Sequence, residues 1–273
     1  MDPVLNRRDE LDRLLAGLGR LVIGYSGGVD SAYLAARAHA VLGADALAVT
    51  AVSPSLARRE RAGAAALARA QGWNHLEIST DELAREEYVR NAPDRCFWCK
   101  TELFEVIEPI ARTRQASIAV GTNLDDLSDH RPGIAAARER GVLAPLAEVG
   151  LDKAMVRELS RRAGLPTAEK PASPCLASRL AYGVEVTEER LSRVDAAEEY
   201  IRGLGFQVLR VRDHGELARI EVPAEEIDSL MGRREEIAVE LRRLGFSFVT
   251  VDLTGFRSGS LNAVVGVLRF RGT

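Results

Sequence analysis

The sequence predicts an α/β fold, a parallel sheet flanked by helices, with a smaller α+β domain at the C-terminal end. Apolar runs of strand length alternate with helical patterns over residues 4–164, the signature of βαβ units and a parallel sheet. The first apolar run, Leu21-Val22-Ile23-Gly24-Tyr25, passes directly into Ser26-Gly27-Gly28-Val29-Asp30-Ser31 and an Ala-rich helical stretch. Pro166, Pro171 and Pro174 then break the pattern, and a shorter series of helices and strands follows.

Taken in order, residues 4–18 read as an amphipathic helix on Leu5, Leu11, Leu14, Leu15 and Leu18. The run 21–25 is a strand and 31–42 a helix. Residues 46–52 form a second strand, ending at Ser53-Pro54-Ser55, and 56–71 an Ala/Arg helix. A third strand covers 75–78, a helix 81–90, and Cys96-Phe97-Trp98-Cys99 opens a helix that reaches Arg114. Residues 117–121 are a fourth strand, followed by Thr122-Asn123-Leu124-Asp125-Asp126, and 151–164 a helix stopped by Gly164. Domain one covers residues 1–181. Domain two, 182–273, reads helix (187–204), strand (207–213), strand (217–222), helix (224–244), strand (248–253), a Gly/Ser loop and a last strand (263–270). Gly203-Leu204-Gly205-Phe206 and Arg243-Leu244-Gly245-Phe246 end its two helices alike, as a weak internal duplication would.

The chain has 273 residues, net charge −3 and a pI near 5.9, so the basic footprint of a nucleic-acid binder is missing. No run approaches the roughly 18 apolar residues of a membrane span. The first residues lack the apolar core of a signal peptide, so cytoplasm is the expected location. Three cysteines, an odd number, favour metal binding or catalysis over a disulfide framework.

The junction at residues 26–31 is an anion site by construction. The first backbone N–H groups of a helix have no intrahelical acceptor, and the helix dipole favours negative charge there. Gly27 and Gly28 let the backbone approach a phosphate. Ser26 and Ser31 add hydroxyls, and Asp30 suits the Mg²⁺ that travels with a nucleotide. The spacing fits neither G-x-x-x-x-G-K-[ST] nor G-x-G-x-x-G. It matches the pyrophosphate loop of enzymes that split ATP into AMP and pyrophosphate. In a parallel sheet, ligands sit beyond the C-terminal strand ends, so Ser53, Gly121 and Thr122 fall on the same edge.

Cys96 and Cys99 are spaced so that one metal or cluster can reach both thiolates, and Cys175 follows on the Pro-rich loop. Three readings stand: a [4Fe–4S] cluster on the three thiolates, a zinc completed by a ligand such as His130, or small buried residues with no ligand. Arg210 and Arg212 alternate on a strand and share a face, which suits a phosphate, a carboxylate or plain solvent. Pattern alone gives Glu199, Glu221 and Asp228 no special status.

SGGVDS with GTNLDD, then Leu151-Asp152-Lys153, then Lys170-Pro171…Pro174-Cys175-Leu176-Ala177-Ser178-Arg179, closely resembles the LarE family over nearly the whole chain. These are PP-loop ATP pyrophosphatases of adenine nucleotide alpha-hydrolase-like fold. The resemblance implies an ATP-dependent sulfur transferase acting on pyridinium-3,5-biscarboxylic acid mononucleotide, in biosynthesis of the nickel-pincer nucleotide cofactor of lactate racemase. It implies that Lys153 pairs with ATP phosphates and that Arg179, Arg210 and Arg212 bind substrate, beside Trp98. It implies a divalent-cation site on Glu199, Glu221 and Asp228 near a subunit junction, and a homohexamer. In one-cysteine members the residue at the Cys175 position gives up its own sulfur. With Cys96 and Cys99 also present, the chain resembles the branch in which three cysteines hold a [4Fe–4S] cluster whose free iron carries sulfide from an outside donor. Three rival functions share parts of this pattern: a tRNA-thiolating enzyme of the same loop type, a nucleotide-binding iron–sulfur sensor without turnover, and a synthetase lobe that uses ammonia and needs no cysteines.

Overall fold

The computed structural model describes residues 2–128 and 132–257. It divides into two compact units, Met1–Glu82 with Cys96–Ser173, and Leu83–Arg95 with Pro174–Thr273.

The first unit is built on four parallel strands, β1 (Leu21–Gly24), β2 (Ala46–Val52), β3 (His75–Ser79) and β4 (Ser117–Val120), in the order β3-β2-β1-β4. Strand β1 is central, and both its faces are covered. Leu21 and Ile23 enter one core with Leu11, Leu15, Tyr33 and Leu159, while Val22 enters the other with Phe104 and Ile107. Burial on both faces is why this strand is a continuous apolar run rather than an alternating one. Each large apolar side chain so buried contributes about 1.5–3 kcal/mol. The covering helices are α1 (Pro3–Leu18), α2 (Val29–Leu42), α3 (Arg58–Ala70), α5 (Arg95–Arg114), α6 (Pro132–Glu139), α7 (Pro145–Glu148) and α8 (Lys153–Arg162), with α4 (Glu86–Val89) belonging to the second unit. Helix α1 starts where it does because Asp2 accepts from Val4 N–H at 3.0 Å and Pro3 fills the first helical position.

Two helical expectations need correction. The helix expected over 81–90 is only a 3₁₀ turn, Glu82–Ala84, and the single turn α4. The stretch is tied to other parts of its own unit instead of extending: Val186 N–H donates to Val89 O, and the Asn91 side-chain amide donates to Ala181 and Val184 carbonyls. Asn91 sits at φ 54, which ends the helix. The helix expected over 224–244 splits into α10 (Ile227–Gly232) and α11 (Arg234–Arg243), because Gly232 is a weak helix former and Arg233 leaves helical geometry at φ −106, ψ 13. Helices α6 and α7 had no counterpart in the sequence reading. The strand expected over 263–270 lies outside the described residues.

The second unit has α9 (Glu188–Gly203), capped by Thr187, and three strands in the order β5-β6-β7: β5 (Arg210–Asp213), β6 (Leu217–Glu221) and β7 (Phe248–Val251). β5 and β6 are antiparallel, β6 and β7 parallel. The similar helix ends are structurally alike: Gly205 and Gly245 stand at φ 108 and 98 after α9 and α11.

Candidate active site

In the first unit, the loop at residues 26–31 runs from the C-terminal end of β1 into α2, with Gly28 as the helix cap. Ser31 organises it. Its Oγ donates to Gly28 O at 3.2 Å and accepts from the Ser26 backbone N–H at 3.2 Å, and the two serine hydroxyls lie 3.1 Å apart. Gly27 adopts φ +71 and presses on α3, where an added Cβ would come within 2.8 Å of Ala64 Cβ. Gly28 meets no such obstacle. Glycine is also required at 121, where a Cβ would lie 2.7 Å from Ser31 N and 2.8 Å from Asp30 C. The end of β4 thus packs directly on the first turn of α2.

Asp30 is held from two sides. Lys153 Nζ lies 2.5 Å from its Oδ2, and the Asn123 amide donates to its Oδ1 at 3.2 Å. The backbone N–H of Lys153 donates to Asp125 Oδ2 at 3.0 Å. Asn123 and Asp126 exchange bonds between side chain and backbone, which closes the Thr122–Asp126 turn. Ser53, at the end of β2, donates to Glu82 at 2.5 Å and accepts from Ser55 N–H. Thr122 is half-buried in the same turn region. Lys170 reaches the loop from the Pro-rich segment, 2.9 Å from Gly27 O and 2.7 Å from Glu60.

Cys96 is exposed and Cys99 half-buried, one helical turn apart at the start of α5. Trp98 is half-buried beside them, edge-on to Phe97 at 5.2 Å. Two thiols three residues apart on a helix share a face, so this donor pair fits a thiophilic metal or cluster.

In the second unit, half-buried Cys175 precedes a 3₁₀ turn, Leu176–Arg179. Its carbonyl accepts from Ser178 Oγ at 2.7 Å and from Arg179 at 3.0 Å. Arg179 is 1% exposed and makes a two-armed pair with Glu198, at 2.9 and 3.2 Å. Burial pushes the Glu198 carboxyl up, but the guanidinium groups of Arg179, Arg210 and Arg202 outweigh it and hold the pKa below the usual range. Arg210 and Arg212 are buried, so the solvated-face reading of β5 fails. Burial and the neighbouring Arg179 lower the Arg210 pKa to about 10. Arg210 lies 5.3 Å from the Phe256 ring centre, and Arg212 grips Glu221 with two nitrogens at 3.1 and 2.9 Å. Arg219 takes the other Glu221 oxygen at 3.0 Å. Glu199 pairs with Arg202 at 2.9 Å, and Asp228 is exposed on α10. Within either unit, no three His, Cys, Asp or Glu residues gather as a metal site among the described residues. His130 lies outside them.

The chain matches a curated protein of Lactiplantibacillus plantarum named pyridinium-3,5-bisthiocarboxylic acid mononucleotide synthase, at 35% identity, over 96% of each chain. The chain belongs to the LarE family. Two uncharacterized relatives match as well: a Synechocystis protein at 44% identity over 95% of this chain and 98% of its own length, and a Methanocaldococcus jannaschii protein at 28% over 88% and 91%. No protein-family model matches the chain.

Several residues that hold these two regions together, each within its own unit, were not singled out from sequence. Asn123, Asp125 and Asp126 stood inside the quoted GTNLDD motif, and Lys170 inside the later one, but nothing in the pattern assigned them contacts. Glu60, Glu82 and Glu198 carried no signal, because an acidic residue on a helix reads as solvated surface.

Proposed function

We propose that this LarE-family protein uses ATP to activate a carboxylate of pyridinium-3,5-biscarboxylic acid mononucleotide and replaces its oxygen with sulfur. The name of the L. plantarum relative supports the substrate class. The observation that carries the ATP reading is the pair between Asp30 on the first turn of α2 and Lys153 on the first turn of α8, a carboxylate for Mg²⁺ and an ammonium for phosphate side by side.

A substrate carboxylate oxygen attacks the α-phosphorus of ATP, the bond to the bridging oxygen breaks, and pyrophosphate leaves. The Gly-rich turn and the dipole of α2 stabilise the departing charge. A sulfur nucleophile then adds to the acyl carbon and AMP departs with the oxygen, leaving a thiocarboxylate. A carboxylate resists such attack until its oxygen becomes a good leaving group, and AMP is one.

In the second unit, Arg210 and Arg212 supply cationic donors for the mononucleotide phosphate. Cys175 is positioned through its carbonyl by Arg179 and Ser178. A [4Fe–4S] cluster held by Cys96, Cys99 and Cys175 would supply transferable sulfur without consuming the protein. Without it, the Cys175 thiolate displaces AMP to form a thioester; its Cβ–S bond then breaks with loss of the Cα proton, which releases the thiocarboxylate and leaves dehydroalanine at position 175, so the sulfur is supplied once. Glu221 gives both its oxygens to arginines, so no step is routed through a cation on Glu199, Glu221 and Asp228. By family resemblance the protein assembles as a homohexamer and draws sulfide from an outside donor.

The test is anaerobic incubation with ATP, Mg²⁺ and the mononucleotide, followed by mass analysis. Pyrophosphate release that depends on the mononucleotide, with one oxygen-for-sulfur exchange in the product, is expected. Pyrophosphate release without the mononucleotide, or none at all, contradicts the reading. One product per chain assigns the sulfur to Cys175, and many products with added sulfide assign it to the cluster.

A further inference from the structure

We infer that Lys170 is a positioning residue for the phosphate loop, acting from a seat on Glu60 rather than as a ligand of the phosphates. This inference rests on the reading that the loop binds the pyrophosphate portion of ATP.

Four contacts converge on one side of the loop. Lys170 Nζ is 2.9 Å from Gly27 O and 2.7 Å from Glu60 Oε2. Tyr25 Oη donates to Ala64 O at 3.1 Å in a buried setting. Gly27, at φ +71, lies so close to Ala64 that no side chain fits between them. Glu60 and Ala64 stand four residues apart on α3 and therefore share a face. That face and Lys170 hold the loop at Tyr25 by its side chain and at Gly27 by its backbone.

The consequence concerns the peptide that joins Gly27 to Gly28. Two adjacent glycines have the widest φ/ψ freedom of any dipeptide, so the plane of this peptide is not fixed by the chain itself. In a trans peptide, C=O and N–H point in opposite directions, and the chain has no cis bonds among the described residues. Fixing the Gly27 carbonyl on Lys170 therefore aims the Gly28 N–H away from Lys170. An anion site made of backbone donors works only if those donors are aimed before the anion arrives. Glu60 keeps the ammonium in place: an unpaired lysine beside a phosphate would swing to it and release the carbonyl.

The two roles for Lys170 give opposite signs at Glu60. If Lys170 positions the loop, Glu60→Gln loosens the seat and weakens pyrophosphate binding. If Lys170 is a phosphate ligand, Glu60→Gln frees it and binding stays equal or tightens. Calorimetric titration of the full-length protein and its variants with magnesium pyrophosphate, and separately with adenosine, decides between them. Lys170→Met and Glu60→Gln are each expected to weaken pyrophosphate about tenfold or more, the scale of one lost charge-assisted hydrogen bond. Adenosine affinity is expected to stay unchanged, and Lys170→Arg to restore most of the loss. Glu60→Gln binding pyrophosphate as tightly as wild type overturns the inference, as does an equal loss for adenosine. A wild-type protein that binds no pyrophosphate overturns the nucleotide reading itself and this inference with it.

Discussion

Lys153 Nζ lies 2.5 Å from Asp30 Oδ2, although the two residues are 123 positions apart in the chain. The contact joins the first turns of α2 and α8 at the carboxyl end of the parallel sheet. The pair's side chains are 37% and 20% exposed, so it is worth only about 0–1 kcal/mol to the fold. Under the proposed reading, the pair serves the Mg²⁺ and phosphates of ATP, so its loss should show in activity rather than in stability.

Asp30→Asn and Lys153→Met are accordingly expected to leave thermal unfolding within a few degrees of wild type. Their pyrophosphate release should fall about 100-fold or more, as when one transition-state electrostatic partner is removed. Unfolding of either variant near room temperature, or full activity, would contradict the assignment.

Gly121→Ala tests the close packing of β4 on α2. The new Cβ meets backbone atoms of Asp30 and Ser31, which cannot step aside as a flexible side chain would. Destabilisation of about 1–3 kcal/mol in a denaturant melt is expected, together with weakened nucleotide binding. Gly183→Ala, where φ is +82 but a Cβ meets nothing, separates the strain of a positive φ from the clash.

Arg179→Met removes the main partner of the buried Glu198 carboxylate. Loss of about 3–5 kcal/mol is expected, because breaking a buried pair strands a charge. Since Glu198 titrates below its usual range in the folded protein, its contribution is present above about pH 4.3 and is lost as the pH falls through the folded value. Glu198→Gln should flatten the acid limb of a stability-versus-pH curve. An unchanged limb would show that other carboxylates carry it.

Burial lowers the His39 and His75 pKa values, and backbone bonds at His39 and the Glu77 charge at His75 only partly offset it. The Asn74 backbone N–H donates to His39 Nε2, so Nδ1 carries the proton toward Ala35 O, and a second proton would break the Asn74 contact. The stability held by the neutral rings is fully present above about pH 6.5 and declines as the pH falls toward the folded values. The unfolding midpoint should therefore drop between about pH 7.5 and pH 5.5. The drop should shrink in a His39→Gln, His75→Gln double variant. NMR titration of both rings above pH 6.5 would contradict this.

The sheet and the phosphate loop were legible because their signals are local. Leu21-Val22-Ile23 is apolar throughout since both faces are buried, and Ser26–Ser31 follows without a gap. The second unit was harder to read. Arg210 and Arg212 read as a solvated strand face, but they are buried: the Glu198 charge from α9 faces Arg210, and Glu221 from β6 bonds Arg212. The Lys170–Glu60 seat was invisible for the same reason: the partners are far apart in sequence, and neither ends a recognisable pattern. Helix α4 fell short because Asn91 turns to φ 54 right after it, and Val186 N–H takes the Val89 carbonyl that a longer helix would have used.

The most direct measurement follows oxygen. The mononucleotide, labelled with ¹⁸O in its carboxylates, is turned over with ATP and Mg²⁺, and the AMP is examined by mass spectrometry. Carboxylate adenylation followed by displacement with sulfur predicts one ¹⁸O atom in the phosphate of each AMP and one sulfur in the product. Unlabelled AMP, with the label in pyrophosphate, in inorganic phosphate or wholly retained in the product, would contradict it.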